Sequence, residues 1–421
     1  MNFFKNQFSQ VKYGGLNILF KKIFKLFSII YFVPAFFIVI FIRVISFFFI
    51  IRIGYILDSR LGHFAANTEL YLCEKLHKIN TPSTKYIDLF FYLDDKVCNK
   101  QLSKMWKSKL IILPQYILKP IFLINKLLPR YKTFEVGTNS QWDRDIRNLL
   151  IRTDPFLKLS TYELQLGSNI LKNFGISVND KYVCLNVRDD AYLNKFLPGD
   201  WDYHNHRNSD INTYLLAAEK LTELGYFVFR MGVIVNKKLV TNNPKIIDYP
   251  NSGYRSDFFD IFLGATCTFC ISVGSGFDAV PIIFRRPTLY VNYVPLGYIH
   301  TFTKPFINLS KRYYSTNYKR ELSMREIFEL DLAFSPYNNY YKERGIEFID
   351  NTPEEILDVC LEMHKILTSN IIYTAKQKEL QNKFWSIFPL EHLDTIGVKL
   401  HGQNYSIFST SFLEKNEKWL N

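Results

Sequence analysis

Acidic residues are almost missing from the first sixty positions of this 421-residue chain. Asp58 stands there against Lys5, Lys12, Lys21, Lys22, Lys25, Arg43, Arg52 and Arg60. About half of the net charge of +13 therefore sits beside the most apolar part of the sequence, and no recognition motif accompanies it, which counts against a nucleic-acid partner. Cysteine is sparse too. The six residues at 73, 98, 184, 267, 270 and 360 have no framework spacing, which excludes a disulfide-built scaffold and fits a reducing compartment. Cys267-Thr-Phe-Cys270 has the CxxC form, but no second pair and no spaced histidine completes a tetrahedral site. It reads as two buried small residues, and no metal is inferred. A GxSxG elbow, an HExxH helix and a P-loop lysine are all missing. So are internal repeats and low-complexity tails, and with 48% apolar residues the chain has ample core material.

What is present near the start is an uncharged apolar run, Leu26–Ile42, resuming as Val44–Ile51 after Arg43. The first run would reach roughly 25 Å as a helix, just short of a bilayer core. Before it, Leu16, Leu19, Phe20, Ile23 and Phe27 recur at helical spacing opposite Lys21, Lys22 and Lys25, the pattern of an interfacial helix. No small-residue cleavage site follows, so a secretory signal does not fit. Basic residues flank both ends, which suits a shallow hairpin bent near Pro34, with a true span as the alternative. The expectation is a membrane-associating segment over residues 1–52, at the cytoplasmic face of an inner membrane.

Residues 53–176 read as an α/β domain with a helix over Phe64–His77, strands over Lys85–Tyr92 and Lys109–Leu113, and helices over Trp142–Arg152 and Ser160–Phe174. From Lys181 to about 345 strands and helices alternate: Tyr182–Arg188, a helix over Asp210–Leu224, Tyr226–Met231, Lys245–Tyr249 and a helix from Ser256. An apolar run then ends in Ser272-Val-Gly-Ser-Gly276, followed by a helix and the strand Thr288–Asn292. This spacing predicts a doubly wound, mostly parallel sheet. Residues 346–421 add helices, the first capped by Thr352-Pro-Glu-Glu355.

In such a sheet ligands bind beyond the carboxyl ends of the strands. Arg188-Asp189-Asp190, Arg230, Asp248, Asp257 and the glycine turn all fall at predicted strand ends or just beyond them. Arginine can pair with a diphosphate through two parallel hydrogen bonds, and glycines let backbone approach it. Gly274-Ser-Gly276 lacks the third glycine of a dinucleotide fingerprint, which turns the site away from hydride transfer. His204 and His206 lie in the polar loop 200–210, which reads as a mobile loop rather than a metal site, and His63 follows Gly62 at a predicted helix start.

The segments YVCLNVRDDAYL (182–193), FRMG (229–232), DYPNSGYRSDFFDIFLGA (248–265) and ISVGSGFDAVPIIFRRPTLYVNYVPLG (271–297) resemble a family of bacterial surface-polysaccharide glycosyltransferases. Arg60–Ala65 and Asn67–Leu72 are similar to segments near that family's start, so the resemblance covers roughly residues 52–300. The carboxyl half is more distantly similar to the donor domain of GT-B fucosyl- and heptosyltransferases. The resemblance implies an α/β, GT-B-like fold of two Rossmann-like domains facing a cleft. It implies Arg188 and Arg230 on a nucleotide diphosphate, Gly274, Ser275 and Gly276 beneath it, and Asp257 near the nucleoside. Asp189, His63 and Glu163 are the candidate catalytic bases. No cofactor is expected beyond the nucleotide-sugar co-substrate, and the partners implied are a glycan or lipid-linked acceptor and the membrane. Arg188 is followed by two aspartates where the fucosyltransferase pattern has a second arginine, so a GDP-fucose donor does not follow. The rival expectations are a nucleotide-sugar epimerase or hydrolase on the same fold, and a non-catalytic membrane scaffold.

Overall fold

The computed structural model describes residues 31–94, 96–137, 144–196, 202–302, 305–369, 371–394 and 397–421. The chain begins α1 (Phe32–Ile45), β1 (Ile50–Ile56), α2 (Leu61–Leu76), β2 (Tyr86–Tyr92), α3 (Lys100–Lys107), β3 (Ile111–Ile112), α4 (Gln115–Lys126) and α5 (Thr161–Lys172). It continues β4 (Lys181–Asn186), α6 (Ala191–Phe196), α7 (Leu215–Glu223), β5 (Tyr226–Arg230), β6 (Ile246–Asp248), α8 (Asp257–Thr266), β7 (Phe269–Ser272), α9 (Ala279–Ile283) and β8 (Thr288–Tyr293). It ends β9 (Phe306–Ser310), β10 (Arg312–Ser315), β11 (Arg320–Glu321), α10 (Met324–Glu329), α11 (Asn338–Lys342), β12 (Ile346–Ile349), α12 (Pro353–Thr368), α13 (Ala375–Ile387), β13 (Ile407–Phe408) and α14 (Thr410–Lys415).

Two compact units result. The first is Met1–Ser59, His77–Cys98 and Ser103–Thr138, and the second is Arg60–Leu76, Asn99–Leu102 and Asn139–Asn421. This partition differs from boundaries at 52 and 176, because α2 and the chain from Asn139 onward fall in the second unit.

The first unit is built on a parallel sheet in the order β1-β2-β3. Strand periodicity of two puts Ile51, Ile53 and Tyr55 of β1 on one face with Leu89 and Phe91 of β2, and α1 and α4 pack there. Ala35, Val39 and Ile42, spaced for one helix face, are the part of α1 that is buried. On the opposite face Arg52 pairs in register with Asp88, donating from Nε to Oδ1 at 2.7 Å and from Nη2 to Oδ2 at 2.9 Å.

The apolar amino-terminal run thus divides into helix and strand. Residues 44–51, expected in the membrane segment, instead end α1 and start β1. Pro34 lies in the first turn of α1, where its missing N–H leaves no helical bond unmade, and the helix runs on through it to Ile45. Among the described residues no helix is long and apolar enough to cross a membrane. The basic amphipathic stretch before Phe27 lies outside the described residues.

The second unit carries a seven-stranded sheet in the order β13-β9-β8-β7-β4-β5-β6, parallel throughout. From β4 the chain adds β5 and β6 on one side, then crosses to add β7, β8 and β9 on the other. The switch point lies between β4 and β7, where a doubly wound sheet opens a crevice at its carboxyl ends. A three-stranded antiparallel sheet, β11-β10-β12, is a feature the sequence did not announce.

One helix expectation fails. Residues 144–152 form turns, not a helix, because tertiary hydrogen bonds override local propensity. Arg144 donates to the carbonyls of Tyr298, Ile299 and Leu400, and Asn148 to those of Phe302 and Gln403. The residues after the glycine turn form a 3-10 turn, Gly276–Asp278, and only the short α9. The expected starts at Ser256 and Thr352 form, and Ser160 and Thr374 cap helices as well, each hydroxyl accepting from the third residue beyond it. Cys267 and Cys270 are fully buried, as two small core residues should be.

Removing one partner of the Arg52–Asp88 pair leaves a buried, uncompensated charge. Arg52→Ala is expected to cost about 3–5 kcal/mol of unfolding free energy, with part recovered when Asp88→Ala is added. Urea unfolding of the full chain measures both, and a single-variant loss below about 1 kcal/mol would show the pair to be dispensable.

Candidate functional site

The crevice at the switch point is tied together across its two walls. Asn186, the last residue of β4, donates from Nδ2 to Ser272 Oγ at 3.2 Å and to Ser275 Oγ at 2.7 Å. Gly274 has φ +77°, and a Cβ there would come within 2.4 Å of the Tyr293 ring, so both backbone and space demand glycine. At Gly276 a Cβ would lie 3.1 Å from the backbone nitrogen of Gly62. The amino end of α2 therefore abuts the glycine turn, and His63 is brought there from more than two hundred residues upstream.

The turn spends several of its own polar groups. Gly274 N–H donates to Ser272 Oγ at 3.2 Å, and Ser275 N–H donates to Asp278 Oδ2 at 3.0 Å. The Asp278 carboxylate sits where the sequence offered a phosphate site. The 16-residue α2 has no acid in its first turn, so its end of the crevice keeps a positive helix dipole.

Cations supply the rest of the rim. Arg188, just past β4, donates from Nη1 to the Asn208 side-chain oxygen. Lys311, just past β9, donates to the Asn208 carbonyl at 2.6 Å and pairs with Asp350 at 2.8 Å. Arg207, next to Asn208 in the chain, donates from Nη2 to the carbonyl of Gly274. Its Nε is buried with no hydrogen-bond partner among the described residues. Three side-chain cations thus gather around one asparagine and the glycine turn. Burial pushes the Lys311 ammonium below its usual range, Asp350 opposes that shift, and the Arg188 charge adds to it.

Arg207 and Lys311 were not singled out in the sequence. Arg207 lay in the polar loop read as mobile, and Lys311 follows a strand, Phe306–Ser310, that was not anticipated. A lysine directly after an apolar run, INLSK, was the available signal. The side chain of His204 lies outside the described ones.

The remaining expected residues are placed differently from one another. Arg230 is 2% exposed and donates to Asp248 at 2.9 Å, its register partner across β5 and β6, with Asp189 at 3.9 Å. Asp189 accepts from Ala191 N–H and from Asn236 N–H, shaping the loop after β4. Asp257 accepts from Lys100 N–H at 2.8 Å and from Arg255 at 3.1 Å. Glu163 closes the capping box of α5 and accepts from Gln101 at 2.7 Å. Arg188, the glycine turn and the backbone beside His63 meet at the crevice. Arg230, Asp189, Asp257 and Glu163 hold the elements that frame it.

His63 is uncharged at neutral pH. Burial, with Arg60 adding to it, lowers its pKa from 6.5 to about 4, and a hydrogen bond with Asn67 opposes the shift. In the unfolded chain it takes up a proton near its ordinary value. The stability it confers is therefore complete above about pH 6.5 and lost progressively as pH falls towards 4. His63→Asn is expected to flatten that part of the stability profile, read as urea midpoints between pH 4 and 8; an unchanged slope would place the acid sensitivity elsewhere. For the turn, Gly274→Ala is expected to cost about 1–3 kcal/mol more than Gly253→Ala. Both positions have positive φ, but nothing lies within 4 Å of a Cβ at Gly253. Equal losses would show that the Tyr293 contact does not constrain the turn.

No family model matches the chain, and no curated protein matches it. Among solved structures it is similar to the ADP-heptose lipopolysaccharide heptosyltransferase II of E. coli, with 15% identity and a TM-score of 0.34 over 58% of this chain and 86% of that one. It is also similar to a family 9 glycosyltransferase from Veillonella parvula, at 12% identity and TM-score 0.34, over 57% of this chain and 80% of that one. A third is the iron-containing dodecameric glycosyltransferase of enterotoxigenic E. coli, at 12% identity and TM-score 0.30, over 58% of this chain and 61% of that one. The chain thus has distant structural neighbours among the heptosyltransferases and family 9 glycosyltransferases.

Proposed function

We propose that this chain is a glycosyltransferase, moving a sugar from a nucleotide-diphosphate donor to a surface glycan or lipid-linked acceptor at the cytoplasmic face of a membrane. The observation that carries this is the gathering of Arg188, Arg207 and Lys311 around Asn208 and the Gly274 carbonyl, at the switch point of the parallel sheet. Like charges held this close suit a ligand of high negative charge. A diphosphate fits that requirement, and guanidinium forks match its paired oxygens.

In the transfer, a hydroxyl oxygen of the acceptor bonds to the anomeric carbon while the bond from that carbon to the diphosphate oxygen breaks. The electron pair leaves with the phosphate, and the rim cations and the dipole of α2 stabilise the charge that develops there. The acceptor proton needs a base. Asp189 and Glu163 are engaged in shaping the loop after β4 and the cap of α5, whereas His63 follows Gly62, whose backbone abuts the glycine turn, and burial keeps its imidazole neutral at physiological pH. His63 is therefore the base assigned in this proposal. Arg230 acts through Asp189 and Asp248, fixing the ends of β5 and β6, and not on the phosphate itself.

Titrating UDP-, GDP-, ADP- and CMP-sugars into the full chain tests the proposal. One donor class is expected to bind, and Arg188→Ala or Arg207→Ala to weaken it about tenfold or more, equivalent to at least about 1.4 kcal/mol. Donor consumption is expected only when a lipid-linked or glycan acceptor is added. Normal donor affinity and turnover in Arg188→Ala would remove the proposal. Conversion without acceptor would replace it with an epimerase or hydrolase.

A further inference from the structure

The first unit has an unusual surface, independent of the transfer reaction. Outside its buried stripe α1 exposes large apolar side chains, including Phe37 at 67%, Phe41 at 61% and Val44 at 71%. Beside it α4 does the same, with Tyr116 at 59% exposed, Leu123 at 42% and Leu127, just past its end, at 82%. The two helices run side by side in the same direction. Tyr31 and Tyr116 meet at their starts with ring centroids 5.9 Å apart, and Arg43 reaches Asn125 at 2.8 Å and the Pro129 carbonyl at 2.7 Å near their ends. Both pack on the same face of the β1–β3 sheet, so their outward sides form one apolar surface. Such a contiguous face on a protein surface marks an interaction site.

Its one intrahelical arginine is withdrawn from that surface. The Arg43 guanidinium is spent on α4 and lies over the Phe134 ring, 4.8 Å from its centroid. The exposed side of α1 therefore reads as apolar, while its surroundings are basic. No acid occurs from Lys96 to Phe134, a stretch that includes Lys119, Lys126, Arg130 and Lys132. Counted by sequence, the first unit holds 17 Lys and Arg against 5 Asp and Glu. That is +12 of the chain's +13, leaving 35 against 34 for the second unit. Five of those 17, Lys5, Lys12, Lys21, Lys22 and Lys25, fall in the chain segment leading into α1, which has no acid.

We propose that α1 and α4 together form a docking face for an anionic phospholipid bilayer, lying in the membrane interface and not crossing it. At 14 and 12 residues the helices are too short to span a bilayer core, yet their apolar sides can sink to the acyl boundary while the basic rim meets lipid phosphates. A protein partner would be served by the apolar face alone. Concentrating nearly all the net charge in this unit is what favours a negatively charged surface that extends beyond the patch.

Co-sedimentation of the full chain with vesicles tests this. Vesicles containing phosphatidylglycerol are expected to bind it, vesicles of phosphatidylcholine alone much less, and added salt should weaken the binding. The combined variant Ile117→Glu, Leu123→Glu and Leu127→Glu alters α4 alone and is expected to lower partitioning about tenfold or more with an unchanged thermal midpoint. A second readout does not depend on that variant folding. Leu127→Trp should show emission quenched by brominated lipid. Wild-type partitioning in the α4 variant, or an unquenched Trp at 127, would overturn the proposal, including the case in which residues 1–30 bind lipid alone. It would also fail if the chain self-associates without lipid and the α4 variant becomes monomeric with vesicle binding unchanged.

Discussion

The candidate site depends on the parallel pairing of β4 with β7. Those two strands are neighbours in the sheet but not in the chain, and the crossover between them leaves a crevice that sequence-adjacent strands would have closed. Asn186 at the end of one strand holds Ser272 and Ser275 at the end of the other. With that junction fixed, Gly274 takes its left-handed conformation under the Tyr293 ring, Arg207 closes onto the Gly274 carbonyl, and α2 abuts Gly276. A shift of register by one residue would turn every one of these groups to the other side of the sheet.

Two kinds of charge arrangement coexist in the second unit. Arg230 with Asp248, and Arg255 with Asp257 and Asp260, are pairs matched in sign and largely enclosed. Their work is to hold strand and helix ends in place. Around Asn208, Arg188 and Lys311 donate to the asparagine and Arg207 to the Gly274 carbonyl, and Lys311 pairs with Asp350. The first pairs hold the elements around the crevice, and the three cations gather at its rim. The first unit separates function in a similar way. Its internal pair, Arg52 with Asp88, is matched, while its surface carries nearly all of the chain's excess positive charge beside an apolar face.

Much of the second unit was legible in the sequence because it rests on local signals. Caps at Ser256 and Thr352 set helix starts, and apolar runs ending in Arg188, Arg230 and Ser272 set strands. The glycine turn stood out for the same reason. What was not legible depends on contacts between distant residues. Nothing local shows that Arg144 and Asn148 will prefer carbonyls of residues 298–302 and 400–403 to a helix of their own. Nor could spacing show that Asp278 would fill the amino end of its own short helix. The apolar amino-terminal run was misread in part for want of a partner strand. Ile50–Ile56 becomes a sheet strand only when paired with Tyr86–Tyr92.

The central claim is that the cation cluster around Asn208 holds a diphosphate. The most direct measurement is a crystal structure of the full chain with a bound nucleoside diphosphate. The account predicts phosphate oxygens within hydrogen-bonding distance of Arg188, Arg207 or Lys311, with the glycine turn and the start of α2 in contact. A nucleotide bound away from the β4–β7 crevice, with none of those three side chains touching it, would contradict it.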